Sequence, residues 1–125
     1  MKLATISSSE DQAGINIRNS LIESFNSENI DKEISADIFI FASKHRSKEN
    51  TPSFAVHAIG NWYKAELGGK EKKLCTSSAA LLKNLLLELN ESAKSANYKI
   101  TIEATHHGPF VEKPAVFIEI GSAEK

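Results

Sequence analysis

The sequence predicts an α/β fold, in which a mixed, mostly parallel β-sheet has flanking helices. Segments with strand-like and helix-like hydrophobic patterns follow one another in the order β-α-β-β-α-β-β, which is typical of a sheet covered by helices. Residues 36–42 (ADIFIFA) are continuously apolar after Asp37, as expected for a strand that is covered on both faces. The length of 125 residues suits one hydrophobic core, so we treat residues 1–125 as a single α/β domain.

The N-terminal segment predicts one strand and one helix. Residues 2–7 (KLATIS) have the pattern of a short strand. Ser9 followed by Gln12 fits a capping box, in which both side chains bond to free backbone amides at a helix start. Apolar residues at helical spacing then predict a helix that runs to about Phe25 and has one apolar face: Ile17, Leu21, Ile22 and Phe25. Residues 26–32 are polar and are expected to form the connection.

The middle of the chain predicts two strands separated by a charged loop. The second strand, at residues 36–42, is followed by residues 43–52 (SKHRSKENTP), a loop long enough to be functional. Residues 53–59 (SFAVHAI) form the third strand, which ends at Gly60-Asn61. We expect residues 62–73 to be irregular.

The C-terminal part predicts a helix followed by two strands. Thr76, Ser77 or Ser78 caps the helix, which reaches about Ala96. Its buried stripe consists of leucines: Leu81, Leu82, Leu85, Leu86 and Leu89. Residues 98–104 (YKITIEA) and 114–120 (PAVFIEI) are the last two strands.

Composition excludes several classes of protein. Hydrophobic residues make up 41% and charged residues 25%, and no apolar run approaches the ~20 residues needed to span a bilayer. The net charge of −1 gives no general attraction to nucleic acid. The single cysteine, Cys75, excludes an intrachain disulfide and is interpreted as a small buried apolar residue. We therefore expect a cytoplasmic protein with no membrane contact.

Polar groups cluster where the predicted strands end. In open α/β sheets, ligands bind at the carboxyl ends of the strands, so we expect one site at that edge. All four histidines fall at or near these ends: His45, His57, His106 and His107. An antiparallel third or fifth strand would instead move His57 or Gly121 towards the opposite edge.

Residues alone leave the roles of these groups open. His106 and His107 could bind a metal, act as a general base or pack structurally, and both can share one ligand only if a turn has begun. His57 also fits a core histidine. Glu103 and Glu119 fit either partners of the imidazoles or exposed positions.

Two further features fit either a binding role or ordinary surface structure. The helix start near Glu10 could hold a phosphate or carboxylate, or its serines could simply cap the helix. Two basic loops could contact a nucleic-acid backbone or remain solvated: Lys44, Arg46 and Lys48, and Lys70, Lys72 and Lys73.

Several motifs resemble those of the archaeal and plant-type D-aminoacyl-tRNA deacylase family. The most specific is EATHHGP at residues 103–109. Residues 43–47 (SKHRS), 57–61 (HAIGN), 65–69 (AELGG) and 117–122 (FIEIGS) are similar to other segments of that family, and so are residues 8–17. Members of the family are longer than this chain, so the resemblance covers their N-terminal half.

This resemblance implies a fold similar to peptidyl-tRNA hydrolases and nucleoside phosphorylases. The implied activity is hydrolysis of the ester of D-aminoacyl-tRNA, which releases the free D-amino acid and tRNA in proofreading. The family is also associated with zinc, for which His57, His106 and His107 are the candidate ligands. A sheet edge left exposed in the short chain would favour a homo-oligomer.

The resulting hypothesis gives each candidate residue a role. His106 and His107 position or activate the water, directly or through a metal. Asn61 and the backbone N–H groups near Gly60 and Gly108 donate to the oxyanion. Six residues are assigned to substrate binding, with the first three contacting the terminal nucleotide or phosphates: Lys44, His45, Arg46, Ser9, Gly60 and Gly108. The alternatives are a truncated, non-catalytic tRNA- or nucleotide-binding module and a phosphorylase- or nucleosidase-like enzyme.

Overall fold

A computed structural model describes residues 1–7, 30–45, 51–95 and 97–121. The strands within these ranges are β1 (Leu3–Ser7), β2 (Ile38–Lys44), β3 (Ser53–Ala58), β4 (Gly60–Asn61), β5 (Lys73–Leu74), β6 (Lys99–Ile102) and β7 (Ala115–Gly121). The helices are α1 (Ile30–Glu33) and α2 (Ala79–Ser92). Each predicted strand is confirmed, while the predicted helix from Ser9 to Phe25 lies outside the described residues.

The main sheet has five strands in the order β1-β2-β7-β3-β6. Three of its pairings are parallel, β1 with β2, β2 with β7 and β3 with β6, while β3 runs antiparallel to β7. The prediction of a mixed, mostly parallel sheet is therefore confirmed. Strands β4 and β5 form a separate antiparallel pair beside it.

The direction of β3 corrects the predicted position of the site. Strands β1, β2 and β7 end at one edge of the sheet, whereas β3 and β6 end at the opposite edge, because Ser53 pairs with Gly121 and Ala58 with Val116. The strand ends therefore do not form one common edge. The histidines still come together, but they do so on a face of the sheet.

The core lies on both sides of β2 and β7. Phe39, Ile40, Phe41 and Ala42 are all buried, which confirms that β2 is covered on both faces. The Phe41 ring stacks on the Phe117 ring of β7 with centroids 5.1 Å apart.

Helix α2 packs on β3 and β6. It begins at Ala79 because the Ser78 side chain accepts a hydrogen bond from the Leu81 amide at 3.2 Å, as an N-cap does. It ends at Ser92, earlier than predicted. None of its residues is fully buried, which corrects the predicted depth of the leucine stripe. The five predicted leucines are nevertheless half-buried whereas Leu87 is exposed, so the predicted apolar face is confirmed.

The two edge strands of the described sheet are β1 and β6. Association of two copies through an exposed edge stays a prediction. Among the described residues, we find no helix that is both long enough and apolar enough to cross a membrane.

Candidate functional site

The site is built around Glu119 in the central strand β7. Glu119 pairs with Ser43 of β2 and with Ala55 of β3, so these three side chains share one face of the sheet. The same alternation places Phe117 and His57 on that face, where their rings stack at 5.2 Å. Glu119 is only 6% exposed, which is unusual for a carboxylate without a partner.

Side chains from three parts of the chain surround the Glu119 carboxylate: the end of β2, strand β3 and the turn after β6. Ser43 Oγ donates a 2.7 Å hydrogen bond to Oε1, and His45 Nδ1 lies 3.1 Å from Oε2. The Nε2 atoms of His107 and His57 lie 3.8 and 4.0 Å from Oε1. Burial opposes the charged form, but these imidazoles and the hydroxyl outweigh it and hold the pKa of Glu119 far below its usual range. The group is therefore a fixed negative charge inside the protein.

Three imidazoles pack against one another beside this charge. His57 stacks on His106 with ring centroids 4.2 Å apart, and His107 meets both rings edge-on at 4.9 and 4.5 Å. His57 comes from β3, while the other two come from the turn after β6. His107 adopts a left-handed backbone with φ of 45°, which is uncommon outside glycine. This turn lets two adjacent residues reach one site.

All three rings have the same hydrogen-bond arrangement. Their Nδ1 atoms lie 2.9, 2.7 and 2.7 Å from the carbonyl oxygens of Ala58, Ala104 and Gly108, in the order His57, His106, His107. A carbonyl oxygen only accepts, so Nδ1 carries the proton and Nε2 of a neutral ring has a free lone pair. Nε2 of His57 is buried and has no hydrogen-bond partner among the described residues. Three imidazole lone pairs in a site that also contains a buried carboxylate favour the binding of a cation.

The groups around His107 favour positive charge at this ring. Burial lowers its pKa, but the Glu119 carboxylate, the Gly108 carbonyl and the charge of Glu103 more than compensate, so the pKa lies above its usual 6.5. One ligand atom each from His57, His106 and His107 lies within 4.8 Å of the others, a spacing that a single metal ion could share.

A second group of side chains borders the first. His45 Nε2 lies 3.5 Å from Glu103 Oε1, and Glu103 Oε2 lies 3.9 Å from His106 Nε2. His45, Glu103 and Glu119 again offer ligand atoms within 4.8 Å of one another. His45 can approach because Gly121 has no side chain, since a Cβ there would lie 2.6 Å from the His45 carbonyl oxygen.

Residues 62–73, which we call the covering loop, pack on the histidine turn. The Gly60 N–H donates to the His107 carbonyl at 2.9 Å, and the Gly108 N–H donates to the Leu67 carbonyl at 3.2 Å. Gly108 lies against the loop backbone so closely that a Cβ on it would be 2.3 Å from the Gly69 nitrogen. The loop and the turn therefore support each other.

These contacts already engage several of the predicted oxyanion donors. The N–H groups of Gly60 and Gly108 are already bonded to carbonyls of the turn and the loop. The amide nitrogen of Asn61 donates to the Gly68 and Lys70 carbonyls at 2.9 and 3.4 Å. The two glycine N–H groups and the Asn61 side-chain amide thus hold the covering loop in place, and donation to an oxyanion by the neighbouring N–H groups stays a prediction.

The other predicted binding residues are separated. Lys44 is exposed at the end of β2, at the edge opposite to Gly60 and Asn61. His45 is only 9% exposed and is bonded to Glu119, so it belongs to the buried cluster rather than to a nucleotide-binding surface. Arg46 and Ser9 lie outside the described residues.

The sequence alone leaves the roles of Glu119 and Glu103 open and does not predict Ser43 as a site residue. The interpretation of both glutamates as partners of the imidazoles is confirmed by their contacts. A usable signal exists in the sequence, because Glu119 is the one charged residue in the otherwise apolar strand Ala115–Gly121. A charge at such a position requires compensating groups nearby.

The fold and the cluster define an α/β protein with a candidate cation site on its sheet face. A sequence model of the D-aminoacyl-tRNA deacylase family matches residues 32–125. The chain therefore belongs to the D-aminoacyl-tRNA deacylase family, which confirms the resemblance inferred from its motifs.

Relatives and a solved structure extend this result. The D-aminoacyl-tRNA deacylase of Caldivirga maquilingensis is 46% identical over 88 residues, which are 69% of this chain and 33% of the relative. That of Thermococcus onnurineus is 41% identical over 105 residues, 78% of this chain and 38% of the relative. The crystal structure of a conserved protein of unknown function has a TM-score of 0.82 at 32% identity and covers 99% of this chain and 56% of its own. The chain thus spans about a third of the length of the curated relatives.

Proposed function

We propose that this chain carries the catalytic centre of a D-aminoacyl-tRNA deacylase, which hydrolyses the ester between a D-amino acid and the 3′ end of tRNA. The observation that supports this most is the cluster of three imidazoles, two of which, His57 and His107, face the buried Glu119 carboxylate. Ester hydrolysis needs a positioned water and positive charge near the carbonyl oxygen, and such a cluster can provide both. The relatives' names supply the substrate class.

We further propose that the Nε2 atoms of His57, His106 and His107 hold a zinc ion. The donor set fits, because three neutral imidazoles with an open fourth position are typical of catalytic zinc. The Nδ1–H bonds to backbone carbonyls are the outer contacts that usually orient such ligands. An ion would also give the buried His57 Nε2 its missing partner. When bound, zinc supplies Lewis acidity and lowers the pKa of a water molecule.

The two carboxylates would then have different roles. Glu119, with a side chain 8% exposed and a depressed pKa, stays ionised and balances the positive charge. The Glu103 side chain is 26% exposed and reaches both His45 and His106. As the more accessible carboxylate, Glu103 would accept the proton of the attacking water.

The test is deacylation of D-tyrosyl-tRNA by this chain, beside a longer relative, with L-tyrosyl-tRNA as the control substrate. His106→Ala and His107→Ala should lose activity and bound zinc together. Glu103→Gln should lower kcat by about 100-fold or more while its zinc content stays unchanged. Glu88→Gln, an exposed change on α2, is the matched control.

Two results would contradict the proposal. One is undiminished hydrolysis by the histidine variants. The other is tRNA binding without release of the amino acid by the folded chain, which would favour the non-catalytic binding module.

A further inference from the structure

The covering loop exposes an unusual amount of aromatic and apolar surface. Trp62 is 60% exposed, Tyr63 is 78% exposed and Leu67 is 74% exposed. Single exposed apolar residues are common, but three large ones within six consecutive positions make a patch. Exposing an indole ring to water is costly, so a patch of this kind usually indicates a binding surface.

Trp62 is held in place although its ring is not buried. The indole Nε1–H donates to the Thr105 carbonyl at 3.2 Å. Thr105 directly precedes His106, so this bond fixes the exposed ring next to the histidine cluster. An aromatic ring that is oriented in advance and still accessible is suited to stacking.

Lysines accompany these aromatic residues. The covering loop has four exposed lysines, Lys64, Lys70, Lys72 and Lys73. It contains only two acidic residues, Glu66 and Glu71. The loop is therefore locally basic although the whole chain has a net charge of −1. The Lys72 N–H donates to the Tyr63 carbonyl at 2.9 Å, which holds a lysine beside the aromatic pair.

We propose that Trp62 and Tyr63 form a stacking platform for bases at the single-stranded 3′ end of the tRNA, with the lysines of the covering loop binding its phosphates. Aromatic rings combined with basic residues are the usual recognition elements for single-stranded nucleic acid. A protein partner fits less well, because lysine is depleted at protein–protein interfaces. The choice of tRNA as the ligand rests on the proposed function. The existence of a stacking platform rests only on the exposed aromatic residues and lysines of the covering loop.

The position of the platform gives it a function in the reaction. The amino acid is attached to the terminal nucleotide, so a base held beside Thr105 would bring its ester close to His106. Positioning of this kind lowers the entropy that the chemical step must lose.

Intrinsic fluorescence tests the proposal directly, because Trp62 is the single tryptophan of the chain. The probe is an unacylated oligoribonucleotide that ends in CCA and has a free 3′ hydroxyl. We expect saturable quenching that weakens as salt is raised. Anisotropy of the labelled oligonucleotide measures variants: Trp62→Ala should weaken binding by about 5- to 150-fold, and Trp62→Phe by much less.

Matched controls and contrary results are available. Leu87→Ala removes a side chain that is 53% exposed on α2 and should leave RNA binding unchanged. Absence of quenching in a folded chain would overturn the platform, as would a tryptophan signal that changes with protein concentration alone, since a second copy would then cover it. Unchanged deacylation and KM in Trp62→Ala would overturn the platform while the proposed function stands. Quenching by RNA without any deacylation would support the platform and contradict the proposed function.

Discussion

Replacing Gly108 with alanine should separate the covering loop from the histidine turn. The added Cβ would lie 2.3 Å from the Gly69 nitrogen and 2.4 Å from the Gly68 carbonyl carbon. Real Cβ contacts essentially never fall below 3.0 Å, so the loop backbone must move by at least 0.7 Å, the difference between 3.0 and 2.3 Å. This movement also strains the hydrogen bond from the Gly108 N–H to the Leu67 carbonyl.

The expected cost follows from these contacts. Overpacking costs about 1–3 kcal/mol, and the upper end applies here because the clash is between backbone atoms. A weakened hydrogen bond adds roughly 0.5–1.5 kcal/mol. We therefore expect a loss of about 4 kcal/mol in the free energy of unfolding, or a Tm lower by about 15 °C for a chain of this size.

Gly68→Ala is the matched control. Its Cβ would meet nothing within 4 Å, but its backbone has φ of +80°, so only the conformational cost of about 1 kcal/mol applies. Both variants are compared by thermal unfolding followed by circular dichroism. If Gly108→Ala melts within 2 °C of Gly68→Ala, on the order of the Tm shift for 0.5 kcal/mol, the steric argument is wrong.

Three further predictions concern buried polar groups. Glu119→Gln removes the buried charge and should lower stability by about 2 kcal/mol, measured by urea unfolding against the exposed change Glu112→Gln. Ser78→Ala should cost about 1 kcal/mol because it removes a cap, whereas Ser77→Ala should be neutral or stabilising, since the buried Ser77 hydroxyl has no hydrogen-bond partner within the described ranges. Burial raises the pKa of the Cys75 thiol above its usual 9.0, so alkylation of the native chain should need a higher pH than in urea, and stability should fall as pH rises above 9.0. Equal alkylation profiles in both conditions would show that Cys75 is accessible.

Hydrophobic periodicity located the strands well because each strand buries a regular pattern of side chains. The alternation in residues 53–58 and the apolar run before Lys44 both correspond to strands of the sheet. Capping chemistry likewise located the start of α2, although it could not distinguish Ser78 from Ser77. That choice depends on which hydroxyl reaches the Leu81 amide.

Roles that depend on hydrogen-bond partners were less predictable. Asn61 has the chemistry of an oxyanion donor, but its amide closes the covering loop. His45 lies in a basic segment and reads as a surface residue, but its ring turns inward to Glu119. In both cases the residue type permits several partners, and the chain packing selects one.

The amino-acid order alone specified the strand segments, the family motifs and the set of histidines, because these follow from local periodicity and from residue chemistry. It did not specify the direction of β3, because a short apolar strand can pair with its neighbours in either the parallel or the antiparallel direction. Three-dimensional packing made that choice, and it placed Glu119 opposite Ala55 and beside His57 instead of at a strand end. The site exists because residues distant in the chain meet over one buried carboxylate.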